Sequence, residues 1–433
     1  MRRILSSIGF TIALLCPWTA SAQGPSNCSS VVSQNLWVRD VLNDYYYWYQ
    51  FLPPSSAANP SSFTSPEAYL EAVRYRPIDN TYSYITSAAA NESFYDDSQV
   101  IKYGFTNIVG TTDIRVIEVW AGSPAGEVGL QRGDRILEVN GTSVASHVNN
   151  GTLGTAFGPD VIGQTASIVF EKPSGERKPA TMVKRLTTIP TVSLTRVVEQ
   201  DGRKIGYLFF RNFVRPSVAA LNDAFAALKA AGATELVIDV RYNGGGLVDV
   251  AVHLASLIGG TRTAGQVLIN WEHNDRVGPQ LNKITRFNEA PEQTLDLQRL
   301  VVITTRSSAS ASELIINALR PYMPVAVIGD TTYGKPVGQY GFEFCQKVLV
   351  PVAFSLKNAN FEGNFFDGIP PTCSAADDFT HQLGDPAEAS FAEALSYLRT
   401  GACSPRAEGE ARAMRARVPQ PRLTGWAALV NAQ

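Results

Sequence analysis

The chain has 433 residues, of which 45% are hydrophobic and 18% are charged. A chain of this length and composition can bury the cores of two or three domains, which excludes global disorder. The formal net charge is −2, so the chain lacks the strongly basic balance expected of a nucleic-acid-binding protein.

The N-terminus has the pattern of a secretory signal peptide. Arg2 and Arg3 precede an apolar stretch at residues 8–15, and the sequence ASA at residues 20–22 fits a cleavage site. We therefore expect residues 1–22 to be removed and the mature protein to be periplasmic or extracellular. A lipoprotein signal at Cys16 is disfavoured because it would need a small residue in place of Leu15. No later stretch has the roughly 18 apolar residues of a membrane helix, so we expect no stable membrane insertion.

Four cysteines follow the expected cleavage site: Cys28, Cys345, Cys373 and Cys403. An even number in an oxidising compartment predicts two disulfides, for which three pairings are possible. Buried free thiols are the alternative. The spacings are too wide, and histidines too few nearby, for a zinc site.

Residues 23–98 have a helical and aromatic pattern. The sequence NLWVRDVLNDYYYWYQFL at residues 35–52 places apolar residues at helical spacing, and Pro53 and Pro54 are expected to end the helix. We expect its aromatic side chains to form a core. A lid or a subunit contact is the alternative, and the oligomeric state stays open.

Residues 99–186 have the pattern of short strands and turns. Apolar residues alternate at 116–119, a short helix is expected at 124–128, and a strand at 135–139. Asn140-Gly141 then forms a strong hairpin signal. The pattern predicts a small β-rich domain.

Residues 187–403 alternate between strand and helix patterns. We expect strands at 205–213, at 300–307 and at 325–330, and a buried strand that runs into glycines at 235–246. We expect helices at 217–230, 247–258 and 311–320. This alternation predicts an α/β layer structure. Residues 404–433 are rich in arginine, alanine and proline, and we expect a loosely attached helix or a disordered tail.

One stretch, TRSSASASELI at residues 305–315, holds four serines between two apolar runs. A serine nucleophile needs a base and donors for the oxyanion. No neighbours mark a base at any of the four histidines, His147, His253, His273 and His381. A lysine can replace histidine where burial lowers its pKa, and Lys335 in DTTYGKPVGQYGF follows an apolar strand and has no acidic residue beside it.

These segments together resemble the carboxyl-terminal processing (tail-specific) serine protease family. In that family the first serine of A-S-A-S-E is the nucleophile, which here is Ser310. A lysine 25 residues later is the base, which here is Lys335 (335 − 310 = 25), and Gln339, four residues on, positions it. The resemblance also implies that Glu313 supports the site.

A glycine-rich segment extends the resemblance. DVRYNGGG at residues 239–246 is similar to the family's D-L-R-x-N-x-G-G, and glycines let the backbone approach a substrate and present N–H groups. We expect Gly245 or Gly246, together with the N–H of Ala311, to form an oxyanion hole. The polar residues of the motif, Asp239, Arg241 and Asn243, are expected to brace this loop.

Residues 123–141 look like part of a PDZ domain, with the pattern SPA-x-x-x-GL-x-x-GD-x-I-x-x-V-N-G. Tyr103, Gly104 and Phe105 resemble the carboxylate-binding loop of such domains. Backbone N–H groups there could hold a peptide C-terminus while the peptide adds as a strand. The alternative is that this domain only packs against its neighbour.

The resemblance implies a β/α core of the crotonase and Clp-protease type, with an inserted PDZ domain and an N-terminal helical segment. It further implies an exported serine endopeptidase with a Ser–Lys dyad, which takes protein substrates by their C-termini and needs no metal or cofactor. DNTYSY at residues 79–84 is similar to the family's D-x-x-S-x-Y element. Pro336 departs from the family's usual glycine, which affects loop geometry and substrate preference more than the chemistry.

Three alternatives remain. The first is a peptide-binding scaffold with an inactive protease core. The second is an acyl-transfer or hydratase enzyme of the crotonase fold, which would need coenzyme A. The third is a Ser-His-Asp esterase, but no G-x-S-x-G motif surrounds Ser310.

Overall fold

The structure is a computed structural model that describes residues 24–405. The expected signal peptide and almost all of the arginine-rich tail therefore lie outside the described residues. Within the described range, no helix is both long and apolar enough to cross a bilayer.

The N-terminal segment is mostly helical. Its elements are α1 (Val31–Tyr45), 3-10 turns at Tyr49–Phe51 and Pro60–Ser62, α2 (Pro66–Val73), β1 (Tyr84–Ser87) and α3 (Ala88–Asp97). The expectation that one helix runs to the proline pair was wrong. The chain leaves the helix at Tyr46, whose backbone is extended (φ −66°, ψ 129°) and whose hydroxyl donates to Asp79 at 2.8 Å.

The aromatic side chains of this segment form a core, as expected. Trp37, Tyr46 and Trp48 are buried in one cluster with Phe342 and Phe344 from much later in the chain. Because the cluster joins α1 to the C-terminal part of the molecule, the helical segment is packed directly onto the α/β core.

The second unit is a β-rich domain. Its elements are β2 (Gln99–Lys102), β3 (Phe105–Val109), β4 (Ile114–Val119), α4 (Pro124–Glu127), β5 (Arg135–Val139), β6 (Thr142–Ser143), α5 (Val144–Asn149), α6 (Leu153–Ala156), β7 (Thr165–Glu171), β8 (Arg177–Val183) and β9 (Arg185–Thr188). The main sheet has the order β3-β4-β5-β7-β8, with β6 added to β5, so β3 lies at an edge. The chain enters along β2 and leaves along β9, and these two strands pair antiparallel. The domain is therefore an insertion held at its two ends. The hairpin turn at Asn140 (φ 50°) and Gly141 (φ 75°) is confirmed.

The remaining elements form the α/β core. They are β10 (Val192–Gln200), β11 (Arg203–Phe210), α7 (Ser217–Ala230), β12 (Glu235–Asp239), α8 (Val248–Gly259), a 3-10 turn (Gly260–Arg262), β13 (Val267–His273), α9 (Gly278–Leu281), β14 (Ile284–Arg286), β15 (Leu300–Thr304), α10 (Ala311–Leu319), β16 (Val325–Gly329), β17 (Val337–Gln339), β18 (Phe342–Phe344), β19 (Lys347–Val350), β20 (Val352–Lys357), β21 (Cys373–Ser374) and α11 (Ala389–Thr400).

The core is built around a six-stranded sheet. The order is β10-β11-β12-β15-β16-β21, parallel from β11 onward. Residues of α7, α8 and α10 are buried in one cluster with strand residues, and residues of α11 in another. The predicted α/β layer structure is confirmed. Two smaller sheets, β14-β13-β20-β17 and β1-β19-β18, complete the unit.

Two disulfides select one of the three possible pairings. Cys28 is bonded to Cys345 and Cys373 to Cys403. The first bond ties the start of the described chain to the turn between β18 and β19. The second ties β21 to the segment that follows α11.

Candidate active site

Three adjacent parallel strands, β12, β15 and β16, end at the same edge of the central sheet. The glycine-rich segment follows β12, Ser310 follows β15, and Lys335 follows β16. Ligands of open α/β sheets commonly bind at the carboxyl ends of the strands. The topology therefore brings together three segments that are far apart in the sequence.

Ser310 stands immediately before α10 in an unusual backbone conformation (φ 55°, ψ −112°). The serine is half-buried and lines a cavity of about 620 Å³, together with Ala311, Gly246, Lys335 and Gln339. A non-glycine residue with positive φ is uncommon and tends to be kept at functional sites. This geometry exposes Ser310 to the cavity while its neighbours are buried.

Two of the other serines in the stretch hold the loop in place. Ser308 Oγ donates to Val240 O at 2.7 Å, and Ser312 Oγ donates to Asn243 O at 3.0 Å. Ser307 is half-buried in the approach to the turn. Only Ser310 among the four lines the cavity, so the four serines differ in environment.

The two candidate oxyanion-hole glycines differ. Gly245 N–H donates to Asn243 Oδ1 at 2.9 Å, so that donor is already engaged. Within residues 24–405, the N–H groups of Gly246 and Ala311 have no hydrogen-bond acceptor. Gly246 has φ 141°, and a Cβ there would lie 2.1 Å from Phe213 O. Gly246 and Ala311 therefore keep their donors free beside Ser310.

Glu313 joins two segments of backbone, the turn that ends at Ser310 (the serine turn) and the segment Gly334-Lys335 (the lysine turn). One carboxylate oxygen, Oε2, accepts the N–H of Ser310 and that of Lys335, both at 2.8 Å. The other, Oε1, accepts from Gly334 N–H at 2.6 Å and from the Thr332 hydroxyl. Burial raises the pKa of Glu313, and these hydrogen bonds oppose that shift. The carboxylate thus fixes both backbone segments relative to each other.

Lys335 is desolvated. Burial lowers the pKa of Lys335 to about 8. The carboxylates of Asp79 and Glu313 raise this pKa, but burial has the larger effect. With such a pKa, roughly one lysine in ten is neutral at pH 7. Its Nζ donates a hydrogen bond to Gln339 Oε1, and no hydrogen bond joins it to Ser310 in the described chain.

Gln339 is itself held from two sides. Its Nε2 donates to Val350 O and to Tyr82 O, both at 2.9 Å. Tyr82 in turn donates its hydroxyl to Gly334 O at 2.5 Å. The contact from Tyr82 was not predicted, although the DNTYSY motif that contains it was noted in the sequence.

The cavity has two kinds of wall. Its apolar wall includes Leu247, Val248, Leu314, Phe354, Leu356 and Phe365. Its polar wall includes Asn91, Glu92, Tyr95 and Asp96 of α3, together with Arg215. A cavity of about 620 Å³, lined by both the helical segment and the core, can hold several residues of a peptide.

The four histidines lie elsewhere: His147, His253, His273 and His381 are all described, and none lines this cavity. Cys373, Glu393 and Cys403 are close enough to hold a metal ion, but the two sulfur atoms are bonded to each other. A disulfide is not a thiolate ligand, so this group does not fit a metal.

The expected peptide-binding loop lies apart from the cavity. The side chains of Tyr103 and Phe105 are fully buried in the β-rich domain, and Gly104 O accepts from Trp120 N–H at 3.0 Å. The loop leads directly into the edge strand β3.

Two arginines connect the inserted domain to the core. Arg132 of the insertion donates to the hydroxyl of Tyr242 at 3.1 Å and pairs with Asp377 at 3.1 Å. Arg211 of the core pairs with Glu118 at 3.2 Å. Since Tyr242 belongs to the glycine-rich segment, the insertion contacts the loop that borders Ser310.

Comparison with protein families agrees with this architecture. Residues 204–374 match the profile of peptidase family S41, residues 33–84 match the peptidase S41 N-terminal domain, and residues 115–150 match a PDZ domain.

Individual relatives are moderately similar. A CtpA-like serine protease of Staphylococcus aureus is 27% identical over 231 residues, which are 53% of this chain and 43% of the relative. A carboxyl-terminal-processing protease of Synechocystis is 25% identical over 356 residues, which are 75% of this chain and 79% of the relative. The chain thus spans less than half the length of the Staphylococcus relative.

A solved structure supports the fold as well. The crystal structure of an S41 protease from Bacteroides fragilis superposes with a TM-score of 0.69 at 27% identity, over 84% of this chain and 97% of that one. An α/β core with an inserted PDZ domain and an N-terminal helical segment is the architecture that fold and site define. The chain belongs to peptidase family S41.

Proposed function

We propose that this protein is an exported serine endopeptidase in which Ser310 is the nucleophile and Lys335 is the general base. One observation carries the proposal: a single oxygen of Glu313 accepts the backbone N–H of both residues, and both line the same cavity. No histidine is available there, and burial lowers the pKa of Lys335 toward neutrality. Family membership adds support. Export rests on the signal pattern in the sequence.

The geometry supports the following reaction. Neutral Lys335 takes the proton from Ser310 Oγ as that oxygen attacks the scissile carbonyl. The N–H groups of Gly246 and Ala311 stabilise the oxyanion, and the positive end of α10 adds to that field. The intermediate collapses, Lys335 gives its proton to the leaving amine, and an acyl-enzyme forms on Ser310. Water, deprotonated by Lys335, then hydrolyses the ester.

The positions of Lys335 and Gln339 also favour a second candidate, a held-inactive core. The ammonium group donates to Gln339 instead of contacting Ser310. Catalysis requires the lone pair of neutral Lys335 to face Ser310 Oγ, so in this candidate substrate binding would have to complete the dyad. A PDZ scaffold with an inactive core is the version in which this step never happens.

We further propose that the PDZ domain captures the C-terminus of a protein substrate. Strand β3 lies at the edge of the main sheet, where a substrate strand would add, next to the loop at Tyr103, Gly104 and Phe105. Arg132 connects this domain to Tyr242 in the loop beside Ser310, which supplies a physical route for coupling. An unfolded protein with a free C-terminus is therefore the expected substrate.

One comparison tests the activity. Wild type, Ser310→Ala and Lys335→Ala are incubated with an unfolded protein, and Ser307→Ala serves as the matched control. Both site variants should lose cleavage while their circular dichroism spectra stay unchanged, and the control should cleave normally. Cleavage that persists in Ser310→Ala would refute the nucleophile, and cleavage that persists in Lys335→Ala would refute the base.

A second comparison tests capture by the PDZ domain, with the intact protein. The same peptide substrate is offered with a free or an amidated C-terminus. We expect a higher KM for the amidated form because a carboxylate-binding loop loses its charged ligand. Equal KM values would refute C-terminal capture while leaving the protease assignment intact.

A further inference from the structure

The N-terminal segment reaches into the candidate active site through one residue, Tyr82. This tyrosine is 4% exposed, lies between α2 and β1, and lines the cavity that holds Ser310. It is 253 residues away from Lys335 in the sequence (335 − 82 = 253). Nothing in the dyad itself requires a contribution from this segment.

Tyr82 contacts the lysine turn at two points. Its hydroxyl donates to Gly334 O at 2.5 Å, on the peptide unit that precedes Lys335. Its carbonyl accepts from Gln339 Nε2 at 2.9 Å, and Oε1 of the same amide accepts from Lys335 Nζ. One residue therefore fixes both the backbone of the lysine and the side chain that orients its amine.

Tyr82 is in turn held by a buried carboxylate. Asp79 is fully buried and accepts the N–H of Tyr82 at 3.1 Å and that of Ser83 at 2.9 Å. The Ser83 hydroxyl donates to Asp79 and accepts the N–H of Val352 at 2.9 Å. Because β20 residue Val352 pairs with Gln339, the segment is anchored to the strand beside the glutamine.

The orientation of Gln339 depends on this contact. A free amide can rotate and present either its oxygen or its NH₂ group to Lys335. With Tyr82 O and Val350 O both accepting from Nε2, only the oxygen faces the lysine. Tyr82 fixes both the rotamer of Gln339 and the backbone that precedes Lys335. It therefore helps to preorganise the base before the reaction begins.

We propose that Tyr82 is a positioning residue for Lys335, and that the N-terminal segment is thereby part of the catalytic machinery. The proposal rests on the proposed Ser310–Lys335 function and adds to it. Tyr82 acts through Gly334 and Gln339 and does not itself touch the reacting atoms. If the Tyr82 hydroxyl is removed, the lysine turn loses the hydrogen bond at Gly334 O, while the aromatic ring of residue 82 still fills the same space.

The first test uses the isosteric change Tyr82→Phe in the full-length protein, with Tyr69→Phe as the matched control. Tyr69 is 3% exposed and belongs to the same segment, but it does not line the cavity. We expect kcat of Tyr82→Phe to fall about tenfold, the loss of roughly one buried hydrogen bond, with KM unchanged. The control should keep both constants.

The second test separates positioning from general stability. Each tyrosine variant is combined with Gln339→Ala, and kcat is measured in all forms. If Tyr82 acts through the lysine turn, its loss should cost less once Gln339 is gone, so the effects on log kcat should be less than additive. Tyr69→Phe should show no such coupling. Ser83→Ala keeps Tyr82 but removes the hydroxyl that accepts the N–H of Val352 and anchors the segment, so it should lower kcat in the same way.

The outcomes are distinguishable. Tyr82→Phe and Ser83→Ala with kcat within about twofold of wild type, or with effects additive to Gln339→Ala, would overturn the positioning role. The proposed function would survive that result as long as Ser310→Ala and Lys335→Ala are inactive. If Ser310→Ala still cleaves, the function itself fails, whatever the tyrosine variants show.

Discussion

Lys335 Nζ donates a hydrogen bond to Gln339 Oε1, and within residues 24–405 it makes none to Ser310. The lysine is therefore oriented by Gln339 and not by its proposed partner. The amine needs only to redirect its lone pair toward Ser310 Oγ to become a base, while Glu313 already fixes the two backbone turns. The site is therefore active when Lys335 is neutral and its lone pair faces Ser310 Oγ.

The first prediction concerns pH. A base must be neutral, and burial lowers the pKa of Lys335 to about 8. Activity should therefore be low at acidic pH, rise tenfold per pH unit below about 8, and level off above it. The measurement is kcat/KM against pH from about 6 to 10, because this ratio reports the pKa of the base in the free enzyme. A plateau that extends down to pH 6 would exclude Lys335 as the base, because a histidine-like pKa would then be required.

The second prediction concerns Glu313→Gln. The carboxylate accepts three backbone N–H groups and one hydroxyl, and an amide NH₂ would oppose some of these donors. We expect a loss of about 1–3 kcal/mol in the free energy of unfolding, measured by urea denaturation. We also expect the acid limb of the pH profile to move to lower pH, since the carboxylate raises the pKa of Lys335. The exposed Glu289→Gln should change neither quantity.

The third prediction concerns Gly246→Ala. The new Cβ would lie 2.1 Å from Phe213 O, so the loop would have to move and its N–H would leave the oxyanion position. We expect kcat to fall at least a hundredfold, in the range found for loss of an oxyanion donor. Gly202→Ala is the control, because it shares a positive φ (71°) but has nothing within 4 Å of the new Cβ. Equal activity losses in the two variants would point to backbone strain instead.

The fourth prediction concerns the two disulfides. The bond Cys28–Cys345 closes a separation of 317 residues, and Cys373–Cys403 closes one of 30. By the loop-entropy relation, the longer loop should contribute about 2 kcal/mol more to the free energy of unfolding. Serine pairs at each position, compared by urea denaturation, check this. A larger loss for the shorter loop would show that native contacts dominate over chain entropy.

Local patterns in the sequence predicted much of the fold. Helix α7 spans Ser217–Ala230 and strand β5 spans Arg135–Val139, as the apolar periodicity indicates. Both elements depend on residues within a few turns or strands of one another, where periodicity and turn chemistry act. The candidate residues Ser310, Lys335 and Gln339 come instead from resemblance to the family motif, and all three line one cavity.

Long-range contacts could not be predicted in the same way. Tyr82 meets Gln339 across 257 positions, and no local pattern in either segment encodes the contact. The end of α1 at Tyr45 was missed because the hydroxyl of Tyr46 reaches Asp79, a partner that helix propensity does not include. Likewise, Gly245 and Gly246 are equivalent in the sequence, and only the contact with Asn243 distinguishes their N–H groups.

Trapping of the acyl-enzyme would identify the nucleophile directly. An activated ester of a short peptide is mixed with the protein at about pH 9, where Lys335 is mostly neutral, and the reaction is quenched in acid for mass spectrometry. If Ser310 is the nucleophile and Lys335 the base, the mass of the acyl group will be found on the peptide that carries Ser310, and Ser310→Ala and Lys335→Ala will form no adduct. An adduct on another residue, or ester turnover by Ser310→Ala at the wild-type rate, would contradict this assignment.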